Sequence, residues 1–199
     1  MKVDPILNVR EFEATDIPIW SDYWCNATDD FLSSMGVDLN KRPTRDELVA
    51  MMESQLQLAV EDRKSFALIW EIDGKQVGHC NVGAIGFGEQ ANMHLHMWDP
   101  KFRHKGLGSP LIRRSIPFFF KKLKLKLLNC EPYAQNPAPN RTIPQLGFEF
   151  VKRYTTIPGP LCFEQEVNQY RLTKAQFEKQ YGRQIKRTTS ADPDFIELV

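Results

Sequence analysis

Trp98-Asp99-Pro100-Lys101-Phe102-Arg103-His104-Lys105-Gly106-Leu107-Gly108-Ser109-Pro110-Leu111-Ile112 is the stretch on which the fold turns. It leaves the end of an apolar strand, crosses a short basic loop with two glycines, and enters a helix. Glycine lets the backbone turn sharply and approach a ligand closely. A helix that starts straight after such a loop aims unpaired N–H groups and a partial positive charge at one spot. That spot suits a phosphate or diphosphate. Arg103, His104 and Lys105 add donors and charge. Neither common nucleotide pattern applies: Leu111 stands where a dinucleotide fingerprint has its third glycine, and no Gly-Lys-Ser/Thr follows Gly106 at P-loop distance.

Arg103-x-x-Gly106-x-Gly108, after a strand ending in Asp-Pro, resembles the acyl-coenzyme A loop of the GCN5-related N-acetyltransferases (GNAT). Further on, Asn136-Pro-Ala-Pro-Asn-Arg141-Thr-Ile-Pro-Gln-Leu146-Gly147-Phe148 resembles that family's second signature, an asparagine at the start of a helix ending in Leu-Gly-Phe. Order and separation fit, over roughly residues 9–177. The Asn-to-Gly-Phe spacing and Tyr170-Arg171-Leu172 before a Thr173-capped helix resemble the RimJ/RimL branch, whose members acetylate ribosomal-protein N-termini.

The resemblance implies an α+β fold in one domain: a mixed, mostly antiparallel central sheet of about seven strands, flanked by helices, with splayed central strands. It implies transfer of an acetyl group from acetyl-CoA to a primary amine on a protein, a peptide or a small molecule. Arg103, His104, Lys105, Gly106, Leu107, Gly108 and Ser109 would then hold the diphosphate. The backbone at Met97 and Trp98 would pair with the pantetheine arm. Asn136 would contact the coenzyme near its reactive end and share in catalysis, and Arg141 would join the coenzyme contacts.

Several positions depart from the family pattern. His104 stands where a glycine often follows the arginine, and Pro139 replaces the serine three residues after the asparagine. The tyrosine that many relatives use as acid, four residues before Gly147, is Ile143. The glutamate seven residues before the proline of Asp-Pro is Met93. With the usual acid and base absent, His94 and His96 are the substitutes, because imidazole titrates near working pH. His79 and Glu89 stand behind them, and a water relay needs none of the four. A non-catalytic acyl-CoA-binding module is the alternative reading.

The rest of the chain sets bounds. At 199 residues with 42% hydrophobic content, one domain with a real core is expected. It would span residues 1–182, with a polar, fraying tail over 183–199. A net charge of +1 exerts no pull toward nucleic acid or membrane. Lys121, Lys122, Lys124 and Lys126 read as a solvated face. Cys25, Cys80, Cys130 and Cys162 show no C-x-x-C pair or metal spacing, so no metal is expected and the thiols read as free. Free thiols and an N-terminus without an apolar signal region suggest the cytoplasm. No window reaches about 18 uninterrupted apolar residues. The partners expected are acetyl-CoA and an amine, with the chain a monomer or homodimer.

Local signals place the elements. Residues 9–13 read as a strand. Thr15 or Asp16 caps a helix carrying Ile19, Trp20, Tyr23 and Trp24, an aromatic group read chiefly as core. Thr44-x-x-Glu47 is a capping box. Residues 65–72 and 76–85 form a hairpin around Asp73-Gly74. In the strand over 91–98, Met93, Leu95 and Met97 alternate with Asn92, His94, His96 and Trp98. A family-type bulge there would break the alternation and leave open which histidine faces the gap. Pro117 is expected to kink or shorten its helix. Strands are expected over 123–130, 148–155 and 163–172, and a helix between Asn136 and a left-handed Gly147.

Overall fold

The computed structural model describes residues 4–185. A seven-stranded sheet runs in the order β1-β2-β3-β4-β5-β7-β6. Its strands are β1 (Leu7–Glu11), β2 (Ser65–Ile72), β3 (Lys75–Gly86), β4 (Gln90–Met97), β5 (Leu127–Cys130), β6 (Glu149–Thr156) and β7 (Gln165–Thr173). Every neighbouring pair is antiparallel except β4 and β5. The helices are α1 (Ile17–Asn26), α2 (Asp29–Ser34), α3 (Arg45–Leu56), α4 (Gly108–Lys122), α5 (Pro137–Gln145) and α6 (Lys174–Ile185). This is the α+β sheet expected from the sequence. The expected tail lies outside the described residues from 186 onward, and α6 continues past 182.

Period-two alternation gives the sheet two apolar faces. On one, Leu68, Trp70, Cys80, Val82, Met93 and Leu128 pack against Leu111, Ile116 and Phe119 of α4. On the other, Ala67 and Ile69 pack against Trp20 and Trp24 of α1 and Leu48 and Met52 of α3. Each large apolar side chain so buried contributes about 1.5–3 kcal/mol. One polar pair crosses the first core: Trp70 Nε1 donates to Ser115 Oγ at 2.9 Å, and Ser115 Oγ donates to Leu111 O at 2.9 Å. Ser115→Ala leaves the buried indole N–H without an acceptor. Urea titration should show a loss of about 1–3 kcal/mol with an unchanged m-value.

The local signals explain most boundaries. Thr44 and Glu47 close their capping box, and Asp73 and Gly74 take φ of 51° and 74°, the double left-handed turn of a tight hairpin. Gly147 is left-handed at φ 89°. Thr173 and Gln176 cap α6 reciprocally. Other expectations are corrected. α4 is not shortened at Pro117 and runs on to Lys122. β5 starts at Leu127, because the Leu123 N–H still closes α4 onto Phe119 O and Lys124 turns left-handed. α2, for which no start signal is read above, is capped by Thr28, whose side chain accepts from the Phe31 N–H. Asp16 does not cap α1 with its side chain; its buried carboxylate takes the Arg10 guanidinium in two bonds of 2.7 Å.

The bulge expected in β4 lies in β3. Gly83 faces Asn92 and Gly86 faces Gln90, so β3 spends one residue more, and Ala84 there sits at φ 47°. β4 keeps strict alternation from Asn92 to Met97. His94 and His96 therefore share a face. Cys80 and Cys130 are buried, Cys25 and Cys162 half-buried, and all four are free thiols.

Candidate active site

The glycine loop ends in a set of open donors. Among the described residues, no acceptor meets the N–H groups of His104, Lys105, Gly106, Leu107, Gly108 or Ser109. His104 and Gly106 take φ of 58° and 77°, so successive N–H groups curve around one spot at the start of α4. A histidine in that conformation costs about 1 kcal/mol relative to glycine. The side chains of His104 and Lys105 are exposed. Arg103 turns the other way. Its Nε donates to Met97 O at 3.0 Å, its Nη2 donates to Trp98 O at 3.1 Å, and its guanidinium lies 4.0 Å from the Phe31 ring centroid. It braces the loop against the end of β4. Asp99 Oδ1 caps the Lys101 N–H at 2.9 Å while Oδ2 meets Lys75, which together hold the Asp99 carboxyl below its usual range.

β4 pairs with β5 only as far as Met93 opposite Cys130. Past that point the strands separate and β4 has a bare edge. Trp98 N–H donates to Val77 O at 2.8 Å, so even-numbered residues of β4 turn their backbone groups to β3. Leu95 and Met97 turn theirs into the gap. Arg103 occupies the Met97 and Trp98 carbonyls, which leaves the Leu95 N–H and C=O and the Met97 N–H open there.

α5 begins at the same end of the sheet. Asn136 Oδ1 caps the Ala138 N–H at 3.3 Å, and its Nδ2 has no partner among the described residues. Asn140 is a residue the sequence reading missed. Its Nδ2 donates to Asn136 O (2.7 Å) and Tyr133 O (2.9 Å), and its Oδ1 accepts from Asn168 of β7 (2.7 Å). It fixes the start of α5 to the sheet. Arg141 is exposed on α5 and donates to Pro137 O at 3.4 Å.

On the face toward α1 and α2, His79 and His96 stack at 4.4 Å with 8° between planes. Trp98 Nε1 donates to His79 Nδ1 at 2.6 Å, which puts the proton of the neutral ring on Nε2. Tyr23 Oη lies 3.1 Å from His96 Nδ1. Burial, then the neighbouring histidines, push His79 well below the usual imidazole value and His96 down to about 3. Burial pushes the Tyr23 phenol up. His94 makes no hydrogen bond with the described residues; burial lowers it and Glu131 opposes that shift.

Glu131 is the second residue the sequence reading missed. It follows directly on Cys130. Its Oε1 accepts from Tyr154 Oη at 2.8 Å and from Gln169 Nε2 at 2.5 Å. Burial, then the carboxylate, push Tyr154 up to about 12. The available signal was alternation: Leu128 and Cys130 face the core, so Asn129 and Glu131 face the histidines. Beside this face, a cavity of about 470 Å³ opens between α1, α2 and the end of β4, lined in part by Asp22, Tyr23, Phe31, Trp98 and Arg103. Among the described residues no acidic, histidine or cysteine cluster is arranged to hold a metal ion, and no helix is long and apolar enough to cross a membrane.

An anion nest, a bare strand edge and a gap opening onto imidazoles and a carboxylate together suit acyl transfer from a diphosphate-bearing donor. The chain is similar in structure to a spermidine N-acetyltransferase from Vibrio cholerae, in complex with CoA and spermine, at TM-score 0.70 and 16% identity over 86% of this chain and 97% of that one. It is similar to RimL, a ribosomal L7/L12 alpha-N-protein acetyltransferase in complex with coenzyme A, at TM-score 0.68 and 12% identity over 86% and 96%. It is also similar to an uncharacterized protein from Bacillus halodurans, at TM-score 0.66 and 13% identity over 89% of each chain. No curated protein matches it in sequence. The model of the acetyltransferase (GNAT) domain matches residues 7–149, and the chain belongs to that family.

Proposed function

We propose that the protein binds acetyl-CoA and transfers its acetyl group to a primary amine. The observation that carries this reading is the row of six open N–H groups, His104 to Ser109, set beside a bare strand edge. The diphosphate is held by that nest and by the positive end of α4. The pantetheine arm, which carries amides, runs along Leu95 and Met97 as an added strand would. Its sulfur then lies in the gap beyond Met93 and Cys130. The Asn136 amide, anchored by its oxygen, offers Nδ2 to the arm. Arg103 acts as the brace of the loop, His104 and Lys105 supply exposed charge, and Arg141 lies on the same helix as Asn136.

The acceptor enters from the face bearing His94, His96 and Tyr23. His96, tied to Tyr23 and held neutral, fits a wall of that site; His94 is free to meet the amine. Spacing from Asn136 to Gly147 and the Thr173-capped α6 support a place near the RimJ/RimL branch. Structural neighbours that act on spermidine or on a protein amine support an amine acceptor of either kind.

Acetyl-CoA at about 100 times its dissociation constant adds about 2.7 kcal/mol to stability. Scanning calorimetry should show Tm rising by about 5–10 °C. Thiol release should follow when spermidine or a peptide with a free α-amine is added. No rise in Tm at saturating acetyl-CoA would remove this reading. Binding without turnover of either amine would support the non-catalytic module instead.

A further inference from the structure

We propose that Glu131 is the general base: its free Oε2 takes the proton from the acceptor ammonium at the mouth of the gap between β4 and β5. This rests on the acetyl-transfer reading above and supplies the group that the family pattern lacks at Met93.

Position comes first. Cys130 is the last residue of β5 and pairs with Met93, so Glu131 stands where β4 departs. Met93 and Cys130 both face the α4 core. Alternation turns His94 and Glu131 to the opposite side, toward the acceptor face. A thioester in the gap would have this carboxylate beside it.

The carboxylate is held through one of its two oxygens. Tyr154 of β6 and Gln169 of β7 both donate to Oε1. A carboxylate only accepts, so the Gln169 amide must present its NH₂ to it. Two donors from two strands fix the plane of the group and leave Oε2 without a partner among the described residues. Oε2 is not among the sealed, unpartnered buried atoms, so solvent reaches it. Among the described residues Glu131 makes no ion pair that would neutralise it. The ionisable groups facing it are His94 on β4 and Tyr154 on β6, with Arg171 of β7 beyond Tyr154; the adjacent Cys130 thiol lies on the other side of the strand. His79 and His96 are committed to Trp98 and Tyr23.

The step balances without a further reagent. Oε2 takes one proton from R–NH₃⁺. The freed lone pair forms the C–N bond to the thioester carbonyl carbon. The C–S bond then breaks with its electron pair on sulfur, and the thiolate takes one of the two protons left on nitrogen. Glu131 returns its proton to solvent. The amide and the free thiol leave.

The test is Glu131→Gln, assayed with acetyl-CoA and, separately, spermidine and a peptide with a free α-amine. Turnover should fall about 100-fold or more, while the Tm rise induced by CoA stays within a degree of wild type. The pH profile separates chemistry from packing. Wild type should show a shallower rise with pH, because the carboxylate takes the proton within the complex. E131Q needs the free amine, so its rate should climb about tenfold per pH unit up to the acceptor's own pKa. Undiminished turnover, or an unchanged profile, overturns the proposal. So does a wild type that binds acetyl-CoA but neither acetylates these amines nor hydrolyses the thioester. Failure of acetyl-CoA to bind wild type sinks the underlying function instead. Should E131Q not fold, Glu131→Asp withdraws the carboxylate by one methylene; a lower kcat with the CoA-induced rise kept is expected, and an equal kcat overturns the assignment.

Discussion

Acidification from pH 7 to pH 5 should remove about 2 kcal/mol of folding stability through His96, with His79 adding to the loss in the same direction. Both rings are held in the neutral form, His79 well below the usual value and His96 at about 3. In the unfolded chain each titrates near 6.5. Below that value the unfolded state binds protons that the folded state refuses, so stability falls as pH falls. The contribution is complete above about pH 7.5 and is lost from about pH 6.5 downward toward the folded values. By pH 5 His96 accounts for about 2 kcal/mol, and His79 adds to it. His94 adds in the same direction, with Glu131 working against it. Against a typical total of about 5–15 kcal/mol, that is a large share. Urea titrations at pH 7 and pH 5 measure it. The double substitution His79→Asn and His96→Asn keeps a side-chain oxygen near Trp98 Nε1 and removes both titrations. It should cut the stability change between the two pH values by more than half. An undiminished change in the double variant would show that other groups carry the acid sensitivity.

The same cluster shows where sequence reading stops. Local chemistry made the frame legible: Asp73-Gly74 sets the β2–β3 turn, Thr44 and Thr173 set helix starts, and Gly147 sets a helix end. Each signal lies within about four residues of what it controls. The site is built from contacts that are distant in sequence. Tyr23 and His96 are 73 positions apart, and Glu131 and Gln169 are 38 apart. Nothing in the spacing of either residue announces its partner. Arg103 shows how much sequence leaves out. Its type and place suit a diphosphate, yet two carbonyls at the end of β4 and the Phe31 ring claim its guanidinium. What the loop leaves open is a row of backbone N–H groups, which every residue but proline carries and no composition reveals. The position of the bulge was also out of reach. A left-handed Ala84 in β3 takes up the extra residue, so β4 keeps the alternation that its own sequence shows.

Gly108→Asp should weaken CoA binding by more than about 100-fold while leaving the fold as stable as wild type or slightly more so. Gly108 is the first residue of α4, and a Cβ added there meets nothing within 4 Å. An acidic side chain at a helix start complements the open N–H groups and adds about 0.3–1 kcal/mol. The same carboxylate competes for the donors that the diphosphate needs. At about 5 Å, two like charges repel by about 3 kcal/mol at an effective dielectric near 20, so a carboxylate beside the diphosphate is unfavourable. Stability and affinity therefore move in opposite directions, which misfolding cannot imitate. Gly108→Asn, similar in size but uncharged, should lose far less affinity, and the gap between the two variants should narrow as salt rises. Calorimetric titration with CoA measures the affinity, and thermal unfolding measures the stability. Affinity within threefold of wild type in G108D would place the diphosphate away from this loop. The bare edge of β4 would then have no coenzyme arm to receive, and Glu131 no thioester beside it.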